Sequence, residues 1–238
     1  SKKERLKKLI KEHLDLLRRL LKELEDLIRK HLELLRRLLR RLKELLRELL
    51  KLIEELVSDE KVLRDIRRVV ERVLEELDRV VDRSEKVVRE VIERLRDALR
   101  KNTEVVKTVI EKLDKIEDED TALKVLEEVV KESVRLVEEA LDIAVTVVKE
   151  SVDLVRRLLD SLLAVAKELV DLLREVLRKA DLRDRVEKEV RRALEKVERL
   201  IREIKRLVER SLEEVEKLIR EIKKRVRDSL RKVKKESE

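Results

Sequence analysis

The sequence predicts an all-α fold, a straight (non-supercoiled) antiparallel up-down-up-down four-helix bundle with helices of about 55 residues each. Three observations lead to this prediction. The 238-residue chain contains no Gly and no Pro, the residues that proteins use at tight turns and at helix ends. Its apolar residues recur at helical spacing over long stretches. Turn signals are few, and three short segments carry the capping residues expected between helices.

The three turn segments are expected to divide the chain into four helices. Ser, Thr and Asp side chains accept hydrogen bonds from the free N–H groups of a first helical turn. The segments are LVSDEKV (56–62), EDEDTALK (117–124) and RKADLRD (178–184). The predicted N-caps are, in chain order, Ser58, Asp120 or Thr121, and Asp181. The predicted helices are 2–57, 59–117, 121–179 and 182–236, in a single domain spanning 1–238.

Two further positions in the second helix, Ser84 and Asn102, also resemble caps. A turn at either would break that helix into pieces of about 18 residues. The apolar register nevertheless continues through both, because Val81, Leu95 and Val106 stay on one face when each residue advances by about 100°. The pattern therefore predicts one continuous helix.

An internal repeat of 18 residues runs within the helices. IKEHLDLLRRLLKELEDL (10–27) is followed by IRKHLELLRRLLRRLKEL (28–45), and ALEKVERLIREIKRLVER (193–210) is followed by SLEEVEKLIREIKKRVRD (211–228). Eighteen residues make five turns at about 3.6 residues per turn, so an apolar stripe of this period runs straight along a helix. This period predicts helices that do not supercoil.

The residue set and the repeats resemble computationally designed (de novo) single-chain helical bundles, and the resemblance covers the whole chain. Leu, Val, Ile, Glu, Lys and Arg dominate, and Cys, Met, Phe, Tyr and Trp are absent. These are the residues favoured for idealised helices. The resemblance implies a structural scaffold with no natural biochemical function and with unusually high thermal stability.

Each predicted helix carries two polar residues near the centre of its apolar stripe, 18 residues apart. Residues level with each other across an antiparallel hairpin have numbers that add to twice the centre of the turn. The polar residues give turn centres of 57.5, 117.5 and 181, which fall on the three segments found from caps alone. One polar layer is therefore predicted to contain His31, Ser84, Ser151 and Ser211. The other, about 27 Å away at 1.5 Å per residue, is predicted to contain His13, Asn102, Ser133 and Ser229.

A buried hydrogen-bond network that specifies helix register is the predicted role of these layers, since imidazole, hydroxyl and amide groups both donate and accept. A simpler alternative is that each Ser bonds to a carbonyl one turn earlier on its own helix. A further alternative is a ligand site in which His13 and His31 bind the metal of a haem-like macrocycle. One His per layer is too few for zinc. No cofactor and no metal are therefore predicted.

Catalysis is not expected, because no Asp or Glu is predicted on a buried face to orient an imidazole beside Ser. The net charge of +8 arises from 65 cations mixed with 57 anions, which does not favour nucleic-acid binding. No apolar run reaches the length of a membrane span. We expect a soluble monomer, cytoplasmic on recombinant expression, that requires no partner. Self-association and use as a rigid building block for assemblies are the alternatives.

Overall fold

A computed structural model describes residues 2–179 and 184–237, and the side chains of these except at positions 173, 176, 177, 179, 184–187 and 237. Four long α-helices account for nearly all of them, and the described residues contain no β-strand. The helices are α1 (Lys2–Leu56), α2 (Glu60–Lys115), α3 (Glu119–Lys179) and α4 (Asp184–Ser237). The predicted all-α fold with four helices of about 55 residues is confirmed.

The second helix is continuous, as the apolar register predicts. It has 56 residues and passes through Ser84 and Asn102 without a break. Both side chains are buried, so each occupies a core position of the helix and neither begins a new one. Ser and Asn occur both as helix caps and at polar positions inside helices, so the residue type alone does not separate the two cases. The apolar period on both sides of the residue does.

The predicted N-caps of α2 and α3 are wrong by one to three residues. Asp59 Oδ1 accepts hydrogen bonds from the backbone N–H of Lys61 (3.0 Å) and Val62 (3.4 Å), so Asp59 caps α2 and Ser58 does not. The longer aspartate side chain reaches the second and third N–H groups of the helix while carrying a charge that the helix dipole favours.

At the start of α3 the cap is Asp118, and not Asp120 or Thr121. Asp118 Oδ1 accepts from the backbone N–H of Asp120 (3.3 Å), and the Thr121 hydroxyl donates to Asp118 Oδ2 (2.8 Å). These hydrogen bonds, first that of the Thr121 side chain, hold the pKa of Asp118 below its ordinary value. The predicted cap of the fourth helix, Asp181, lies outside the described residues.

The chain divides into two compact units, and each unit contains a segment of all four helices. The first unit comprises Ser1–Lys30, Val87–Lys149 and Glu213–Glu238, and the second comprises His31–Lys86 and Glu150–Leu212. The prediction of a single domain spanning 1–238 stays a prediction.

Ion pairs show that α1 and α2 are antiparallel in both units. In the second unit, Arg36 pairs with Glu85 (2.8 Å) and Lys43 pairs with Asp78. Residue numbers thus rise along α1 as they fall along α2. In the first unit, Lys7 on α1 pairs with Asp114 on α2, and Glu25 pairs with Arg96 (2.6 Å), so the two helices again run in opposite directions.

The helices α3 and α4 are also antiparallel. In the first unit, Arg227 pairs with Glu138 (2.7 Å) and Lys149 pairs with Glu216 (3.4 Å). In the second unit, Arg156 pairs with Glu209 (3.5 Å). Helix-to-helix contacts of this kind are those of a four-helix bundle.

The core of each unit is built almost entirely from aliphatic side chains. In the first unit, Leu17, Leu24 and Ile222 belong to one cluster drawn from all four helices. In the second unit, Ile53 and Ile66 belong to another. These side chains are 1% exposed or less. Burying a Leu, Val or Ile side chain contributes about 1.5–3 kcal/mol. Packing of these side chains is therefore the main interaction between the helices, and the buried polar residues are exceptions within an aliphatic core.

Candidate functional site: the buried polar residues

The two histidines lie on the apolar stripe of α1 but are not equally buried. His13 is 4% exposed, whereas His31 is half-buried. Both occur in the sequence context His-Leu-x-Leu-Leu. The leucines one, three and four residues after each histidine flank it on the same helical face. The difference in burial between the two imidazoles is not visible in this shared motif.

His13 contacts the fourth helix of the first unit. Its Nδ1 lies 3.0 Å from Ser229 Oγ, a hydrogen-bond distance, and the two residues belong to α1 and α4. The other ring nitrogen, Nε2, is buried and has no hydrogen-bond partner among the described residues. One side of the ring is therefore joined to a neighbouring helix, and the other faces groups that do not bond to it.

Burial determines the charge state of His13. Desolvation lowers the pKa of the imidazole from 6.5 to about 4, because the charged form loses the stabilisation that water gives it. At neutral pH the ring is uncharged, with one nitrogen that donates and one that accepts.

Asn102 and Ser133 form a second cross-helix pair in the same unit. Asn102 is 0% exposed and Ser133 is 3% exposed. The Ser133 hydroxyl donates to Asn102 Oδ1, which joins α3 to α2. Asn102 Nδ2 donates to the backbone carbonyl of Ala98 on its own helix (2.8 Å). Both polar atoms of this fully buried amide therefore have partners.

The second unit contains the pair His31 and Ser211. Ser211 Oγ lies 2.8 Å from His31 Nδ1 and 2.7 Å from the carbonyl oxygen of Leu207. A carbonyl oxygen only accepts, so the single hydroxyl proton of Ser211 is directed to Leu207. For both hydrogen bonds to form, His31 Nδ1 must carry a proton and donate to Ser211 Oγ.

Ser84 and Ser151, the other two residues predicted for this layer, behave differently. Ser84 is 6% exposed and Ser151 is half-buried. Neither makes a side-chain hydrogen bond to the other or to the pair of His31 and Ser211 within the described part of the chain. Six of the eight predicted residues are thus joined in three pairs by direct hydrogen bonds, two between α1 and α4 and one between α2 and α3.

Two arginines that sequence reasoning did not single out also carry buried polar atoms. Arg36 and Arg156 pair through their terminal nitrogens with Glu85 and Glu209 on the neighbouring helices. Their Nε atoms are buried without a hydrogen-bond partner among the described residues. The signal in the sequence is position, since each arginine lies at the edge of an apolar stripe, where its aliphatic stem covers the core and its charged end reaches water.

The described residues bring together no group of three or more His, Cys, Asp or Glu side chains suited to hold a metal ion. No helix in the described ranges has an apolar stretch long enough to cross a bilayer. Comparison of the chain with protein-family models, curated proteins and solved structures finds no match.

Proposed function

We propose that the chain is a designed structural scaffold in which buried His, Ser and Asn side chains specify the register of the helices. The observation that carries the proposal is the hydrogen bond from Ser133 on α3 to Asn102 on α2, between two side chains that are 3% and 0% exposed. The contact of His13 with Ser229 between α1 and α4 supports it. The absence of any match to known proteins agrees with an origin by design.

Aliphatic packing alone does not fix the alignment of α3 along α2, because similar apolar residues recur along both helices. If α3 moved by about one turn along α2, Asn102 would face Val129 or Val137 in place of Ser133. Leu, Val and Ile tolerate this exchange, since apolar contacts have little directional preference. A buried amide left without a partner costs about 1–3 kcal/mol. The polar pair therefore penalises the shifted alignment, while the aliphatic contacts hardly distinguish it from the correct one.

Catalysis and cofactor binding are not part of the proposal. A Ser–His pair acts as nucleophile and base when a third group orients the imidazole, but His13 Nε2 has no such partner among the described residues. The cavity beside His13 has a volume of about 20 Å³, far below the several hundred Å³ of a typical ligand pocket. We therefore propose a soluble, monomeric scaffold that requires no cofactor, metal, nucleic acid, membrane or protein partner.

Distance measurements between spin labels test the proposed control of register. The chain has no cysteine, so Glu93→Cys on α2 and Glu128→Cys on α3 provide two exposed labelling sites in the first unit. These sites are offset along the helix axis, so a shift by one turn changes their axial separation by about 5–6 Å. The unmodified core should give one distance, and the Asn102→Val/Ser133→Ala core should give additional, shifted distances.

The matched control is Thr108→Ala/Thr146→Ala. These exposed threonine hydroxyls donate only to carbonyls of their own helices, those of Glu104 (2.9 Å) and Asp142 (3.0 Å). The control should keep the single distance. One unchanged distance in the Asn102→Val/Ser133→Ala protein would show that loops and aliphatic packing suffice, and the proposal would be rejected.

A further inference from the structure

A small cavity lies beside His13 in the first unit. Its volume is about 20 Å³, and among the described residues that line it only His13 and Ser133 are polar. The other eight lining side chains are Val, Leu or Ile, contributed by all four helices. No Asp, Glu, Lys or Arg side chain of the described part of the chain lines it. The cavity thus offers two hydrogen-bonding groups, on α1 and α3, in an otherwise aliphatic wall.

His13 presents an unsatisfied polar atom in this region. The side chain is 96% buried, being 4% exposed. Its Nδ1 is occupied by Ser229, and Nε2 has no partner among the described residues. A buried polar group without a partner destabilises the fold, because it has lost its hydrogen bonds to water. Because burial keeps the imidazole neutral at pH 7, the group that satisfies Nε2 need not carry a charge.

Ser133 retains hydrogen-bonding capacity after its bond to Asn102. Its single proton is donated to Asn102 Oδ1, which leaves the lone pairs of Oγ free to accept. A molecule between His13 and Ser133 must therefore donate to Ser133. Toward Nε2 it must accept or donate, depending on which tautomer Ser229 selects.

We propose that this cavity is a binding site for one water molecule, which bridges His13 Nε2 and Ser133 Oγ. Water both donates and accepts, so it satisfies Nε2 in either tautomer. A volume of about 10–15 Å³ is enough for one water molecule, and a buried water makes about 2–4 hydrogen bonds. The bridge links the pair of His13 and Ser229 to the pair of Asn102 and Ser133, so that one network joins all four helices. The proposal goes beyond the proposed function and holds whether or not the polar pairs specify register.

The second unit supplies an internal control. It contains another cavity of about 20 Å³, and the twelve described side chains that line it are Leu, Val, Ile or Ala. Apolar cavities of small size stay dry because water finds no hydrogen-bond partners in them. Since the two cavities have the same volume, polarity alone distinguishes them. Water is expected beside His13 and not beside Val70 in the second cavity.

The test combines a crystal structure that resolves ordered water with oxygen-17 relaxation dispersion in solution, which detects long-lived water through its oxygen. We expect one electron-density peak within hydrogen-bond distance of both His13 Nε2 and Ser133 Oγ, and at least one long-lived water in solution. A dry cavity beside His13, or a protein group bonded to Nε2, would overturn the proposal. Equal hydration of the two cavities would also overturn it, because the polar groups would then not select the site.

Two matched variants assign the solution signal. Val106→Ile adds one methylene group to the wall of the cavity beside His13, and Val70→Ile makes the same change in the aliphatic cavity. The oxygen-17 contribution of one long-lived water should be lost in Val106→Ile and kept in Val70→Ile. Loss in both variants, or in neither, would contradict the assignment of the water to His13.

Discussion

At the scale of single residues, His13 shows how a titratable group behaves inside an aliphatic core. Burial, and not a neighbouring charge, lowers its pKa from 6.5 to about 4. The unfolded chain therefore takes up a proton at a higher pH than the folded chain does. The contribution of His13 to stability is fully present above pH 6.5 and is lost as the pH falls from 6.5 toward 4.

This difference predicts a measurable loss of stability between pH 7 and pH 5. Integration of the two titrations gives a decrease of about 2 kcal/mol in the free energy of unfolding from His13 alone. Urea unfolding at the two pH values measures it. In His13→Gln, which keeps a neutral polar side chain, the decrease should be smaller by about that amount. The same loss in both proteins would mean that His13 is open to bulk solvent, or charged, in the folded state.

The titration of Asp97 and Glu132 does not affect the comparison of the unmodified protein with His13→Gln. Hydrogen bonds from Lys101 and Arg135 hold the pKa values of Asp97 and Glu132 below their ordinary values. Their contribution is therefore present above the unfolded pKa and is lost only as the pH falls through the lowered one, below the window from pH 7 to pH 5. They are also present in both proteins.

The pair of Asn102 and Ser133 predicts strong energetic coupling. Ser133→Ala leaves the fully buried Oδ1 of Asn102 without its donor, which should cost about 1–3 kcal/mol. Asn102→Leu costs less, because the hydroxyl of Ser133 can turn to a carbonyl of its own helix. The double variant removes both groups and should be more stable than the sum of the single losses predicts. Urea unfolding of all four proteins gives the coupling energy.

Ser84 provides the reference for this cycle. It is 6% exposed and does not bond to the other residues predicted for its layer in the described structure. Ser84→Ala should therefore change stability much less than Ser133→Ala. Equal costs at the two positions would show that the cross-helix bond contributes nothing beyond burial of a hydroxyl group.

At the scale of the helices, the caps show what sequence patterns do and do not determine. Asp59 Oδ1 accepts from two backbone N–H groups at the start of α2, whereas the sequence pattern predicts Ser58 as the cap. Asp59→Ala should lower the free energy of unfolding by about 1 kcal/mol. Ser58→Ala is the matched control and should have little effect. Chemical denaturation of both variants measures the difference, and a larger loss in Ser58→Ala would reverse the assignment.

The long-range features of the helices were predictable because they repeat, whereas the local contacts were not. Ser84 and Asn102 could be placed inside α2 because an apolar period of several turns surrounds them. Ser58 and Asp59 are adjacent residues with similar capping chemistry, so a boundary error of one residue changes which of them caps the helix. The turn centres of 57.5 and 117.5 fall in the observed breaks between α1 and α2 and between α2 and α3.

The partners within the polar layers depend on distances that periodicity does not contain. The angular position of a residue places His31 and Ser211 near one level, but it does not say that Nδ1 of one lies 2.8 Å from Oγ of the other. Nor does it distinguish the 4% exposed His13 from the half-buried His31. These differences arise from the packing of neighbouring helices, because a displacement of a few ångströms decides whether a side chain is buried and whether it forms a hydrogen bond.

At the scale of the whole molecule, the described contacts suggest that the aliphatic core contributes much more stability than the ion pairs. Most paired side chains are well exposed, as in Arg100 with Asp97, where 71% and 40% of the side chains are accessible. Exposed pairs contribute roughly 0–1 kcal/mol each and are screened by salt. The core clusters of both units consist of buried Leu, Val and Ile, with Ala144 in the first unit. Stability should therefore depend weakly on ionic strength.

Thermal unfolding tests this balance. We expect a midpoint above about 70 °C, beyond the roughly 45–65 °C of mesophile domains, because long helices without Gly or Pro surround an aliphatic core in each unit. The midpoint should change little between low salt and 1 M NaCl, and it should not depend on protein concentration if the chain is a monomer. One calorimetric transition is expected from a single domain spanning 1–238, whereas two would mean that the two compact units unfold separately. A midpoint below 70 °C, or a steep fall in high salt, would show that the exposed ion pairs contribute far more than their geometry implies.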